Sequence, residues 1–229
     1  MAARPAGGYS TADGRPVPGV TTICGMLNKP ALVGWAGKTC TEAAWRIGRE
    51  LLPMPKWTAI LYPGRDKAAE AGTLVHELFE SLLRGLPLPE IPDTDVGRAA
   101  QQGYENAKHW VESSALSIEP YEQPLVCEDY GFGGTPDALA IKGDEWYLAD
   151  WKTGGIYAEQ IVQLSAYKHL LEKHEKVSIK GCHLVRFHRD HGDFAHHYFA
   201  EDALEMGWEV FRRLLEIHPM LAKLEKRVK

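Results

Sequence analysis

Asp137, Asp150 and Lys152 lie in the stretch 133–153, which reads GGTPDALAIKGDEWYLADWKT. Apolar alternation from Ala138 to Ile141 and from Trp146 to Ala149 predicts two β-strands, with Lys142, Gly143 and Asp144 as the turn between them. Such a hairpin brings Asp137 near Asp150. Lys152, two residues further along, points to the same side of its strand as Asp150. Two acids and an ammonium in one place are poor core residues, because buried charges need partners. They suit a divalent cation that activates water for hydrolysis. Without a cation the two carboxylates repel and one tends to hold a proton, and the cation removes that conflict. The lysine then either holds the attacking water or stabilises charge growing on the substrate.

The elements that must position this group follow from periodicity. Pro136 biases Thr135 to extended geometry and keeps the motif out of a helix. Upstream, Leu74, Val75, Leu78, Phe79, Leu82 and Leu83 recur at helical spacing, ended by Gly85 and Pro87. His76 sits off that apolar face with Glu80 one turn later on its side, either as acceptor of a ring N–H or as a surface acid. A loop at 85–96 and a helix near 97–114 follow. Strands are expected near 121–128, 134–141 and 145–151, then a helix at about 158–173. Strands near 180–188 and 194–199 lead to a last helix, 201–226, broken or kinked at Pro219. Nearer the start, 31–50 suggests a helix and the proline-rich 53–63 a loop bordering the cleft. The fold class is α/β (α+β), with helix, three strands, helix and strand in order.

The chain has 229 residues, 45% of them hydrophobic, enough for one well-packed unit. The expected division is a flexible arm at 1–17 and a single domain at 18–229. Within the domain, 18–68 forms a basic, aromatic lobe, 69–200 the core and 201–229 the C-terminal helix. No apolar run approaches a membrane span, and the first residues lack the apolar segment of a secretory signal, so a cytoplasmic location is expected. Cys24, Cys40, Cys127 and Cys182 are spread singly, unlike cluster or zinc ligands, and are expected to be free thiols. The net charge of −5 hides cationic segments at both ends. In the N-terminal one, Arg46 and Arg49 interleave with Trp35, Trp45, Trp57 and Tyr62, as a single-strand path would use for backbone charge and base stacking. The alternative is that these rings pack a small helical lobe. No phosphate-binding GxxxxGK[ST] loop is present, which excludes that mode of ATP binding.

In order and spacing, Pro136-Asp137 and Asp150-Trp151-Lys152 resemble the PD-(D/E)xK nuclease superfamily, and in particular its RecB-like exonuclease branch. Gly72-Thr73-Leu74-Val75-His76 resembles that branch's GxxxH-type motif, and Gln163-Leu164-Ser165-Ala166-Tyr167 its QxxxY motif. The opening Pro18-Gly19-Val20-Thr21-Thr22-Ile23 is similar to phage-type members. The resemblance implies a restriction-endonuclease-like αβββαβ core, with a mixed central sheet flanked by helices and an added N-terminal helical segment. It implies that His76, Asp137, Asp150 and the backbone carbonyl of Trp151 ligate Mg²⁺ or Mn²⁺, as one or two ions, and that nearby positive metal lowers the basicity of Lys152. Glu122 would touch a second ion through water. Gln163 and Tyr167 would border the site and position DNA. Arg186, His188 and Arg189 either contact phosphates or form a solvated edge.

The cysteine positions do not match the branch's iron–sulfur members, so no such cluster is expected. The implied activity is metal-dependent exonucleolytic hydrolysis of DNA ends or single strands, in recombination, repair or replication of bacterial or phage DNA. Two alternatives stand beside it. One is a structure-specific endonuclease cutting flaps or branches. The other is a non-cutting DNA-binding module partnered with a recombinase or helicase, against which the intact acids and lysine argue.

Overall fold

A computed structural model describes residues 5–27, 36–37, 39–40, 42–44, 46, 65–121, 123–188 and 192–227. Its centre is a five-stranded sheet in the order β3 (Ser117–Pro120), β6 (Ala138–Lys142), β7 (Glu145–Lys152), β8 (Ile179–Phe187), β9 (Phe194–Ala200). Neighbours are antiparallel except β7 and β8, which run parallel. Parallel neighbours need a crossover, here supplied by helix α4 (Ala158–Glu175). The long helices α2 (Arg65–Arg84) and α3 (Asp95–Ser113) come before these strands, and α5 (Glu201–Glu225) follows them. The expected mixed sheet with flanking helices is the fold observed.

Strand alternation divides the core into two layers. Leu139, Leu148, Cys182 and Leu184 face one way, onto α4, α5 and the short α1 (Val20–Cys24). Ala138, Ala140, Ala149, Trp151, Val185 and Phe187 face the other, onto α2 and α3. Small alanines on that second face leave room for Phe79 and Trp110 from the helices, and both of those rings are fully buried. Phe79 meets Trp151 edge to face at 4.8 Å and Phe187 at 5.3 Å, geometries that add to simple burial.

Several boundaries depart from the sequence reading. The expected flexible arm is instead folded from residue 5 onward. β1 (Tyr9–Ser10) and β2 (Pro16–Val17) pair as a hairpin, and Tyr9 buries its ring against the core. The strand placed at 121–128 splits. Only β4 (Leu125–Cys127) is extended there, and it pairs with β5 (Phe132–Gly134) in a separate ribbon, while the edge of the main sheet is β3. The strand placed at 134–141 begins at Ala138, leaving Pro136 and Asp137 in the link between sheets. The last helix runs continuously through Pro219. Trp35, Trp45, Arg49, Trp57, Tyr62, Glu122 and Arg189 lie outside the described residues. Arg46 is helical and exposed. No described helix is long and apolar enough to cross a membrane.

Candidate active site

The β6–β7 hairpin turns through Gly143, whose φ of 62° suits glycine, and pairs Lys142 with Glu145 and Ala138 with Ala149. That register sets Asp137 beside Asp150 at the open end of the hairpin, as the spacing predicts. The backbone N–H of Trp151 donates to Asp137 Oδ2 over a long 3.4 Å. Asp150 and Lys152 share the face carrying Leu148, and the Lys152 ammonium lies 2.5 Å from Asp150 Oδ2. Asp150 is only 1% exposed, and its Oδ1 has no hydrogen-bond donor among the described residues.

Burial pushes the Asp150 carboxyl up to about 6. Lys152 opposes that shift, and the nearby Asp137 carboxylate adds to it. Burial alone would lower Lys152. The carboxylates of Asp150 and Asp137 outweigh it and hold the lysine above its usual value. In the metal-free chain Lys152 is therefore an ammonium at any working pH.

A cleft of about 450 Å³ opens over this group, between the first half of α2 and α4. Glycines make the close approach possible. A Cβ on Gly72 would meet Thr153 Oγ1 at 2.8 Å, so α2 reaches the end of β7 only with glycine there. A Cβ on Gly134 would lie 2.7 Å from the Tyr167 ring, so α4 seats against this segment only with glycine there. From α4, Gln163 Nε2 donates to the Tyr167 hydroxyl at 2.9 Å, and both residues line the cleft. Burial, with the charges of Asp137 and Asp150, drives the Tyr167 hydroxyl well above its ordinary pKa, so it stays neutral.

Sequence reasoning missed Tyr9 and Thr135. The Tyr9 hydroxyl and Thr135 Oγ1 share a 2.9 Å hydrogen bond across 126 residues of sequence, and both line the cleft. Nothing periodic in the glycine- and proline-rich start of the chain announces such a contact.

His76 differs most from expectation. It is buried, at 8% exposure, not on the polar side of its helix. Glu80 pairs with Arg84 Nε at 2.8 Å, so the ring is held by another residue: the indole N–H of Trp151 donates to His76 Nδ1 at 2.9 Å. Burial lowers the pKa of His76 to about 3, so the ring is neutral. An indole only donates, so Nδ1 must accept and the single ring proton sits on Nε2. As placed, His76 offers the cleft a donor rather than a lone pair. The sheet explains why: Trp151 faces α2, whereas Asp150 and Lys152 face α4. No three His, Cys, Asp or Glu side chains among the described residues form a cation-holding cluster. A cation held by His76 Nε2 would require the ring proton to leave that nitrogen and Nδ1 to give up the Trp151 N–H. Trp151→Phe is expected to cost about 1–3 kcal/mol by leaving a buried acceptor without its donor, read as a lowered melting temperature.

The two carboxylates do fit a divalent cation. A buried acid with an oxygen lacking any donor, a second acid beside it and a single lysine leave the group net negative and rich in hard oxygen donors. Arg186 adds positive charge nearby. It pairs in register with Lys152 on the adjacent strand, and its Nε is buried without a partner among the described residues. The cysteines are free, with Cys24, Cys127 and Cys182 buried.

Fold and site together define a nuclease. A family model for the PD-(D/E)XK nuclease superfamily matches residues 43–227, and the chain belongs to that superfamily. Its members generally use divalent metal ions and hydrolyse nucleic acid. Among solved structures, an alkaline exonuclease from Laribacter hongkongensis is similar over 71% of this chain and 92% of that one, at 18% identity and a TM-score of 0.36. No curated protein matches the chain.

Proposed function

We propose that this protein is a metal-dependent deoxyribonuclease acting as an exonuclease on DNA ends or single strands, in recombination, repair or replication. The observation that carries the reading is the convergence of Asp137, Asp150 and Lys152 at the open end of one hairpin, beneath a cleft. Asp137, Asp150 and the Trp151 carbonyl would hold Mg²⁺ or Mn²⁺. Bound there, the cation supplies Lewis-acid polarisation of the phosphate and a more acidic water.

The chain's own groups do the rest. Lys152, as an ammonium, can donate but not accept, so it steadies the incoming oxygen or the charge on the phosphate. His76 Nε2–H offers a neutral donor to the same region. Tyr167 and Gln163 wall the cleft on the α4 side. Arg186 neutralises backbone charge on DNA leaving the site, and Arg186→Gln is expected to weaken DNA binding without base preference. It should also flatten the dependence of log affinity on log salt by about one unit or less.

The deciding experiment digests end-labelled linear and covalently closed circular single-stranded DNA with Mg²⁺, Mn²⁺ or EDTA, beside Lys152→Ala. Metal-dependent loss of the linear DNA alone is expected. Cutting of the circle would make the enzyme an endonuclease. Binding without any cutting in either metal would leave only a DNA-binding module.

A further inference from the structure

Helix α5 carries an apolar stripe that the described residues leave exposed. Met206, Val210, Ile217, Met220, Leu221 and Leu224 are between 37% and 71% exposed. At 100° per residue all six fall within about 100° of arc, a single continuous face. A different side of the helix docks on the domain, where Leu204, Gly207 and Phe211 are buried. A Cβ on Gly207 would lie 2.2 Å from Ser165 Oγ, which shows how tightly α5 seats on α4. Beyond Leu215 every described residue of the helix is exposed except the half-buried His218. The last turns therefore extend past the core with large apolar side chains in water. Such a patch marks a site of protein–protein contact.

The charges on the same helix say what covers it. Its first ten residues include Glu201, Asp202, Glu205 and Glu209, with no lysine or arginine. From 211 to 227 it carries Arg212, Arg213, Lys223, Lys226 and Arg227 against Glu216 and Glu225. A helix acidic at one end and basic at the other complements a reversed copy of itself. We propose that two copies of this chain associate through α5, antiparallel, about a two-fold axis near residue 215.

In that register Met206 faces the partner's Leu224 and Val210 faces the partner's Met220, so the stripe is self-complementary, as a two-fold interface requires. The acidic first turns of each helix lie along the basic last turns of the other. Parallel pairing would set acid on acid and base on base. Arg213 falls inside the stripe. Its guanidinium is 3.9 Å from Glu209 and 73% exposed, so its methylene stem can line the seam while its charge stays in water.

The test needs no activity, and its failure leaves the nuclease reading untouched. Light scattering across a concentration series should give twice the 25.5 kDa mass of one chain. Met220→Glu should halve the measured mass without changing the circular-dichroism melt, because that side chain touches solvent and faces only the partner's Val210 across the seam. The reversal Lys223→Glu with Arg227→Glu should weaken association at least tenfold. Adding Asp202→Lys and Glu205→Lys, which flank the positions opposite those two residues, to the same chain should restore it. A wild-type monomer at every concentration, or a dimer that survives Met220→Glu, overturns the proposal. Failure of the second reversal to rescue overturns the antiparallel arrangement.

Discussion

Lys152→Ala is expected to slow cleavage by about 10²–10³-fold, the usual cost of removing one aligned donor from a site where charge develops. The size follows from placement. The ammonium is held 2.5 Å from a buried carboxylate, and its side chain is 24% exposed, so water can replace it only poorly. In the metal-free chain the Asp150 and Asp137 carboxylates hold its pKa above the usual value, so the resting group is an ammonium. Two further measurements separate this from a structural defect. DNA affinity without turnover should change little, and Mg²⁺ should still raise the melting temperature of the variant. Loss of the Mg²⁺ effect would mean that Lys152 supports the carboxylates more than the reaction. The variant removes the partner of Asp150, and that acid answers by holding a proton, which limits the damage to the fold.

The second large effect concerns pH. The Asp150 carboxyl is raised by burial to about 6 in the folded metal-free chain, against 3.8 without the fold. A folded pKa above the unfolded one means that the folded state binds the proton more tightly. Its contribution to stability is complete below about pH 4 and is lost as pH rises through 6. Between pH 7 and pH 5 the metal-free protein should gain about 1 kcal/mol from this group. His76 acts in the opposite sense. Its folded pKa of about 3 lies under the ordinary 6.5, so acid below pH 6.5 favours the unfolded state, which takes up the proton more readily. The raw stability curve mixes both. Subtracting the curve of Asp150→Asn isolates the aspartate, and the difference should slope toward greater wild-type stability in acid. Mg²⁺ or Mn²⁺ should reverse that slope, stabilising the wild type more at pH 8 than at pH 5.5, since the cation competes with the proton for the same oxygens. A difference curve flat between pH 5 and 7 would show that Asp150 is ionised throughout, with Lys152 cancelling its burial.

How far the sequence revealed this site depended on the range of each interaction. Asp137, Asp150 and Lys152 were legible because one short hairpin places them, and strand alternation about a tight turn fixes that register locally, although Lys142, expected in the turn, is the last residue of β6. Gln163 and Tyr167 were legible for a similar reason, since four residues on a helix make one turn. His76 was misplaced because its burial depends on Trp151, 75 residues away, and helix periodicity carries no information about a ring arriving from a sheet. Tyr9 was missed for the same cause at longer range. The main sheet was found, but its edge strand shifted from 121–128 to β3. The short β4–β5 ribbon reads like an ordinary pair of strands until its partner is known. The proline in α5 was read as a break or a kink, and the helix is not broken there, because proline removes only one hydrogen bond and the rest of the ladder holds.

β7 carries two messages in antiphase. Its odd positions from Tyr147 to Trp151 belong to the packing against α2 and α3, and its even positions from Leu148 to Lys152 lead from the opposite core layer into the reactive group. The strand thus behaves like a reading frame. Residues gained or lost in the turn at 143–144 alter a solvent-facing loop, whereas a single insertion between 147 and 150 would turn the acid and the lysine into the hydrophobic layer and the tryptophan out of it. Variation in length should accumulate in that turn and be excluded from the strand, even at positions that touch neither metal nor DNA.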